Sequence, residues 1–255
     1  SSFIAIPKER HMDNITNAAP EARTVDAGRG LAWWSEAWAM FLPQAGVWIV
    51  MSLALVIGSM IVSVVPVLGG LAVALLMPVF IAGWMVAARK AESGAKIEFN
   101  DMFVCFGGAH LTPLIIVGVV MLVATFLVGM VVAVLGAGAA FGMIMGGARH
   151  SAGGLMAGMG AALLALVITL AIAFVSGMAL WFAPALVVMR NMQPVEALKA
   201  SLAASMKNIG AMLLFGILFF VASIVASIPF GLGWILLSPV LLLCAWRSYR
   251  DVFGD

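Results

Sequence analysis

Four stretches without a formal charge dominate the chain: Gln44 to Ala88, Leu111 to Gly147, Ser151 to Met189 and Asn208 to Trp246. Each exceeds the ~20 apolar residues that carry a helix across a bilayer once, so length alone leaves the number of crossings open. The helix breakers decide it. Pro66 with Gly69 and Gly70 divides the first stretch into two halves of crossing length, and Pro229 with Gly231 and Gly233 divides the last in the same way. A Gly-rich stretch around Arg149 separates the middle pair. The pattern predicts an all-α, polytopic membrane protein with six transmembrane helices, over about 45–65, 68–88, 112–135, 161–187, 210–228 and 232–247. Backbone that faces lipid must satisfy its own hydrogen bonds, which favours helices. The alternating segments of a membrane β-barrel are missing.

Composition agrees: 64% of residues are apolar, 9% are charged and the mean hydropathy is +1.17, whereas soluble domains are roughly a quarter charged. The basic residues set an orientation. With the N-terminus cytoplasmic, Lys8, Arg10, Arg23, Arg29, Arg89, Lys90, Lys96, Arg190, Lys199, Lys207, Arg247 and Arg250 fall on that side and only Arg149 falls outside. Both termini are then cytoplasmic, and the expected location is a bacterial inner membrane. Cys105 and Cys244 lie at the reducing face and are expected to be free thiols. The net charge of +2 carries no nucleic-acid signal.

The opening "SSFIAIPKERHM" lacks an initiator Met and ends in His-Met, as a cloning junction does. Residues 1–11 are therefore expected to be cloning-derived, with a native start at Met12, and residues 1–29 to form a disordered tail. The first span is expected to direct insertion itself. Residues 30–255 are expected to form a single six-helix domain.

Self-comparison adds an internal pattern. Pro78, Pro184 and Pro239 stand near the ends of the even-numbered spans, and each precedes the first Arg after its span: Arg89, Arg190 and Arg247. Val47 to Gly70 lies over Ala211 to Gly233, matching Pro66 with Pro229 and Gly70 with Gly233. A segment of mixed polarity precedes each hairpin and has one acid near its start: Glu36, Asp101 or Glu196. Carboxylates suit the positive end of a helix, and Pro194 suits a first helical position. The expectation is three repeats, at about 30–90, 97–190 and 193–250, each an interfacial amphipathic helix followed by a transmembrane hairpin.

On a helix, Trp34, Trp38 and Phe41 share a face with Trp33 at its flank. Indole settles at the boundary between headgroups and acyl chains. Trp33, Trp34, Trp38, Phe41, Phe103 and Trp246 are accordingly expected to be membrane-interface anchors. The competing reading packs these aromatics under neighbouring spans as core.

The Gly-Arg-Gly-Leu-x-Trp-Trp start, the "EAWAMF" helix, the proline-bearing span ends and the closing "WRSYRDVFG" resemble a family of uncharacterised six-helix bacterial inner-membrane proteins. That family is similar to the membrane domain of glycerophosphodiester phosphodiesterases. The resemblance covers about residues 27 to 254 and implies a fold and a location. The phosphodiesterases carry their catalytic barrel as a separate domain, for which this chain has no counterpart.

Chemistry is sparse. The proposed span interiors hold no acid, base or histidine, which argues against a pump or a proton-coupled carrier. Ser52, Ser59, Ser63, Thr169 and Ser176 could line a passive path, although hydroxyls in spans more often bond within their own or a neighbouring helix. Gly-x-Ser-x-Gly, His-Glu-x-x-His, Gly-Lys-Ser/Thr and Cys-x-x-Cys are all missing. His110 and His150 fall at opposite faces, and no catalytic residue is expected. Met143, Met145, Met156 and Met159 with His150 form a soft-donor set that would suit Cu(I). Met is abundant throughout the chain, however, and space filling is the stronger reading. The surrounding segment, Gly136 to Gly160, is expected to be a flexible loop or a pair of short helical extensions. Gly136, Gly138 and Gly142, and Gly154, Gly158 and Gly160, offer small-residue contacts between spans three and four or between subunits, with internal packing the better choice. Basic loop residues such as Arg89, Lys90, Lys199 and Lys207 read as topology signals rather than as a headgroup-binding site. No cofactor is expected. The expected partners are membrane lipids, with a second copy or another membrane protein as an open possibility. The functional expectation is a non-catalytic scaffold or lipid-interacting component, with a passive channel or carrier for a small neutral or lipidic solute as the alternative.

Overall fold

The computed structural model describes residues 21–148 and 151–254. Every regular element among them is helical: α1 (Arg29–Phe41), α2 (Ala45–Ser63), α3 (Leu68–Glu92), α4 (Leu111–Ala148), α5 (Ala152–Trp181), α6 (Ala183–Arg190), α7 (Pro194–Lys207), α8 (Ile209–Ser227) and α9 (Trp234–Phe253). Short 3-10 turns cover Leu42–Gln44 and Phe99–Phe106. The turns after α2 and α8 fall at Pro66 and Pro229, where the missing N–H interrupts the helical ladder.

Five segments are long and apolar enough to cross a membrane: Arg29–Ser63, Leu68–Glu92, Leu111–Ala148, Ala152–Arg190 and Ile209–Ser227. The expected sixth crossing falls on α9, which carries Arg247, Arg250 and Asp251 in its final turns and does not reach that apolar length. The first segment is longer than expected because only the 3-10 turn containing Pro43 separates α1 from α2.

The core lies at one end of the molecule. Trp33, Trp48, Trp84, Trp246, Tyr249 and Phe182 are fully buried there, and such rings supply the largest apolar area per residue. Pro78, Pro184 and Pro239 are buried in α3, α6 and α9. These three helices converge: α3 packs on both α6 and α9, and Phe182 meets Phe253 at 5.5 Å between ring centroids. Trp33, Trp34 and Trp181 surround Phe215 at the start of α8.

Pro184 has a local consequence that Pro78 and Pro239 do not share: the helix breaks between α5 and α6. In an unbroken helix the Phe182 N–H would bond to the Met178 carbonyl. Instead it donates to Ser201 Oγ at 3.0 Å, and that hydroxyl donates to the Met178 carbonyl at 2.8 Å. Ser205 Oγ also donates to Met178 O, at 3.2 Å. A serine from α7 thus bridges the opened ladder, as buried backbone groups require.

Away from the core end the helices are bare. Among the described residues between 119 and 177, only Ala139, Gly146, Gly158 and Ala165 are buried. This part of α4 and α5 forms a long antiparallel hairpin closed along a glycine seam. A Cβ at Gly142 would stand 2.9 Å from the Gly158 backbone, and one at Gly154 would stand 2.7 Å from Gly146. Of the two expectations for 136–160, the structure takes the helical one: residues 136–148 and 152–160 are helical, as the ends of α4 and α5. Each glycine gives up helix propensity and allows the two backbones to touch.

A second correction concerns the tail. Residues 21–28 form an ordered strap across the core end: Arg23 N–H donates to the Val252 carbonyl at 2.7 Å, and Val25 N–H donates to Asn208 Oδ1 at 2.7 Å. Residues 1–20, including the expected cloning-derived segment, lie outside the described residues.

Candidate functional site: apolar clefts below an ion-paired rim

The polar groups of the core end gather into one network. Arg29 bonds to Asp251 at 2.6 Å and Glu36 at 2.8 Å. Arg247 spans Glu36 at 2.7 Å and Glu92 at 2.6 Å, and Arg250 reaches Glu92 at 3.1 Å. Three guanidinium groups thus meet three carboxylates from α1, α3 and α9. Planar guanidinium forks suit such shared, two-pronged contacts. Two indoles complete the rim: Trp33 Nε1 donates to Asp251 at 2.7 Å, and Trp246 Nε1 donates to Glu92 at 3.1 Å. Lys90 pairs with Asp101 at 3.0 Å, tying the 3-10 turn to α3, and Asp101 with Glu98 forms a capping box at the start of that turn.

Beyond the rim, two hairpins hold apolar clefts. The first, about 230 Å³, lies between α2 and α3, with Leu55, Gly58, Ser59, Leu76 and Phe80 in its walls and Phe103 from the 3-10 turn at its end. The second, about 680 Å³, lies between α8 and α9, with Val225, Ala226, Leu236 and Val240 in its walls and Trp34 and Trp38 of α1 at its end. Each cleft is thus closed at one end by aromatics of a short helical segment: the 3-10 turn that follows α3 for the first, and α1, from the far end of the chain, for the second. At the third hairpin α7 packs directly on α5, burying Ala197, Leu198, Ser201, Ala204 and Ser205.

The residues expected to be anchors divide into three groups. Trp33, Phe41 and Trp246 are buried in the core, Trp34 is partly covered by stacking on Phe215 at 5.5 Å, and Trp38 and Phe103 remain open. Packing rather than contact with the surroundings is the role of the first three. Trp33 is buried by the packing of α1 on α8 and α9, and its N–H is satisfied by Asp251, a residue 218 positions away that the sequence pattern does not connect to it.

Met143, Met145, Met156 and Met159 are exposed along the α4–α5 hairpin instead of turning into its seam, and His150 lies outside the described residues. No group of three or more His, Cys, Asp or Glu side chains converges among the described residues. His110 borders a cavity of about 160 Å³ with Asn191 and Gln193. Ser59 Oγ donates to the Leu55 carbonyl in its own helix at 2.7 Å, while Ser52 is buried. Cys105 and Cys244 are free and buried, and burial pushes the Cys105 thiol up to about 11.

The chain is 26% identical to a Burkholderia thailandensis protein named probable inner membrane protein, over 90% of this chain and 93% of that one. No family profile matches the chain. No solved structure matches it.

Proposed function

We propose that this chain is a non-catalytic protein of a bacterial inner membrane, a scaffold that interacts with lipid. Its three hairpins cross the bilayer and its aromatic core end faces the cytoplasm. The observation that carries this reading is the separation of the molecule into a closed, ion-paired core end and bare apolar hairpins. Helices α2 and α8, each 19 residues and so about 28 Å long, match a hydrocarbon layer of ~30 Å. α9 supplies the sixth crossing, its arginines lying in the rim at the inner boundary. The charge asymmetry and the similarity to a protein named probable inner membrane protein support the location.

The reading includes three repeats. Supporting it, the exit helices α3, α6 and α9 carry the matched prolines and meet at the core. In addition, the leading acids Glu36 and Asp101 both pair with bases on an exit helix, Arg247 and Lys90 respectively. The similarity to the membrane domain of glycerophosphodiester phosphodiesterases belongs to the same proposal. It concerns architecture and assigns no activity.

A transport path is disfavoured because fully buried rings fill the place where the helices converge, and the clefts are walled by apolar side chains. Reconstitution tests this. Native mass spectrometry of protein released from nanodiscs is expected to retain phospholipid, and liposomes containing the protein are expected to leak small neutral solutes no faster than empty ones. Solute-specific flux would overturn the scaffold reading.

A further inference from the structure

We infer that the outer part of the α4–α5 hairpin is a self-association surface whose occupant is the same hairpin of a second copy. The inference rests on the reading that the hairpins cross a membrane. It starts from a mismatch of lengths. Helix α4 has 38 residues and no charge, which makes it about 57 Å long. Fitting that length into a hydrocarbon layer of ~30 Å would need a tilt of about 58°, beyond the usual range of about 0–40°.

Packing fixes where the excess lies. Gly118 of α4 touches α3 at Leu75, where an added Cβ would stand 2.5 Å from the Leu75 carbonyl oxygen. From that contact α3 continues only to Leu68, while α4 continues to Ala148. At 1.5 Å per residue α4 therefore passes the α2–α3 turn by roughly 30 Å. The outer end of the overhang is stiff, because the glycine seam closes α4 against α5 from Ala139 to Gly146.

The overhang is also apolar on its outside. Phe141 and Ile144 on α4 are 65% and 66% exposed, and Met156, Met159 and Leu163 on α5 are 72%, 64% and 62% exposed. Spacings of three and seven residues place each set along one face of its helix. A surface of this kind beyond the hydrocarbon layer is unfavourable in water and marks a protein contact. Its size suits a dimer. A hairpin two helices wide, each about 10 Å across, presents roughly 600 Å² per copy over about 30 Å. Two copies bury about 1,200 Å², the lower end of stable interfaces. The described residues of this face carry no charge, so burying it against the same face of a second copy strands no charged group.

The full chain in nanodiscs tests the inference. Wild type is expected to have the mass of two copies, and Ile144→Cys is expected to give a disulfide-linked dimer on mild oxidation, since Cys105 and Cys244 are buried. Phe141→Glu with Met156→Glu is expected to weaken association at least tenfold. A monomeric wild type with no Ile144→Cys crosslink would overturn the inference. So would a monomer whose Cys at 144 resists a membrane-impermeant maleimide, because the bilayer would then cover the hairpin. Maleimide labelling of Val65→Cys and Gly94→Cys separates the two readings. If both positions face the same side, the membrane-crossing reading fails. If they face opposite sides in a monomer, only self-association fails.

Discussion

Replacing Asn208 by Ala tests whether the strap at residues 21–28 closes the core end. Asn208 is 3% exposed and stands between α7 and α8. Its Oδ1 accepts from Val25 N–H at 2.7 Å, and its Nδ2 donates to the Arg23 carbonyl at 2.9 Å and the Ala204 carbonyl at 2.9 Å. The Ala204 carbonyl keeps a partner in Asn208→Ala, because the backbone N–H of residue 208 also bonds to it. The loss therefore falls on the two bonds to the strap. Each is worth about 0.5–1.5 kcal/mol, and a strap group left dry and unpaired adds to that, so about 2–3 kcal/mol is expected. For a chain of this size that lowers the apparent Tm by roughly 4–12 °C, measurable by tryptophan fluorescence in detergent. Trypsin is expected to cut after Arg23 sooner in the variant, because the strap detaches before the helices unfold. Lys207→Ala, which removes only an exposed bond to the Ala22 carbonyl, serves as the control and is expected to shift stability by less than about 0.5 kcal/mol. An unchanged Tm together with unchanged cleavage after Arg23 in Asn208→Ala would refute the strap as a closing element.

Three further outcomes follow from named contacts. Ser201→Ala leaves the Phe182 N–H without its acceptor at the α5–α6 break and is expected to cost about 1–3 kcal/mol, read by chemical denaturation, whereas Ser201→Thr, which keeps the hydroxyl, is expected to recover most of it. Trp33→Phe and Trp48→Phe separate a bonded indole from an unbonded one: both lose buried ring volume, but only the first also loses a bond, to Asp251, and is expected to be the more destabilising by about 1–3 kcal/mol. Cys105, with its pKa raised to about 11, is expected to react slowly with iodoacetamide at pH 8 in the folded protein and rapidly after denaturation, since the thiolate is the reacting form; rapid labelling of the folded protein would contradict its burial.

The candidate site was only partly legible beforehand. The three exit prolines, the leading acids and the charged ends of α3 and α9 stand out along the chain. Their partners do not, since Glu36 meets Arg247 across 211 positions and Trp33 meets Asp251 across 218. Ser201 and Asn208 carried no signal, because a serine or asparagine on a polar-faced helix usually faces solvent. The clefts were also invisible, since they depend on how far two apolar helices diverge.

Sequence by itself determined the hairpins. Long charge-free runs force helices, and a proline without an N–H interrupts the ladder at Pro66 and Pro229 whatever surrounds it. Tertiary structure decided what local preference could not. Glycines at 142, 146, 154 and 158 leave a loop and a helical extension both open in the sequence, and the helix is chosen because each lets the facing backbone come into contact. The same holds for the tryptophans: amphipathic spacing describes a helix face, but whether that face meets lipid or protein depends on which distant apolar surface folds against it. For Trp33 the covering surface comes from α8 and α9, with Phe215 at 6.3 Å between ring centroids, and Asp251 satisfies the indole N–H there.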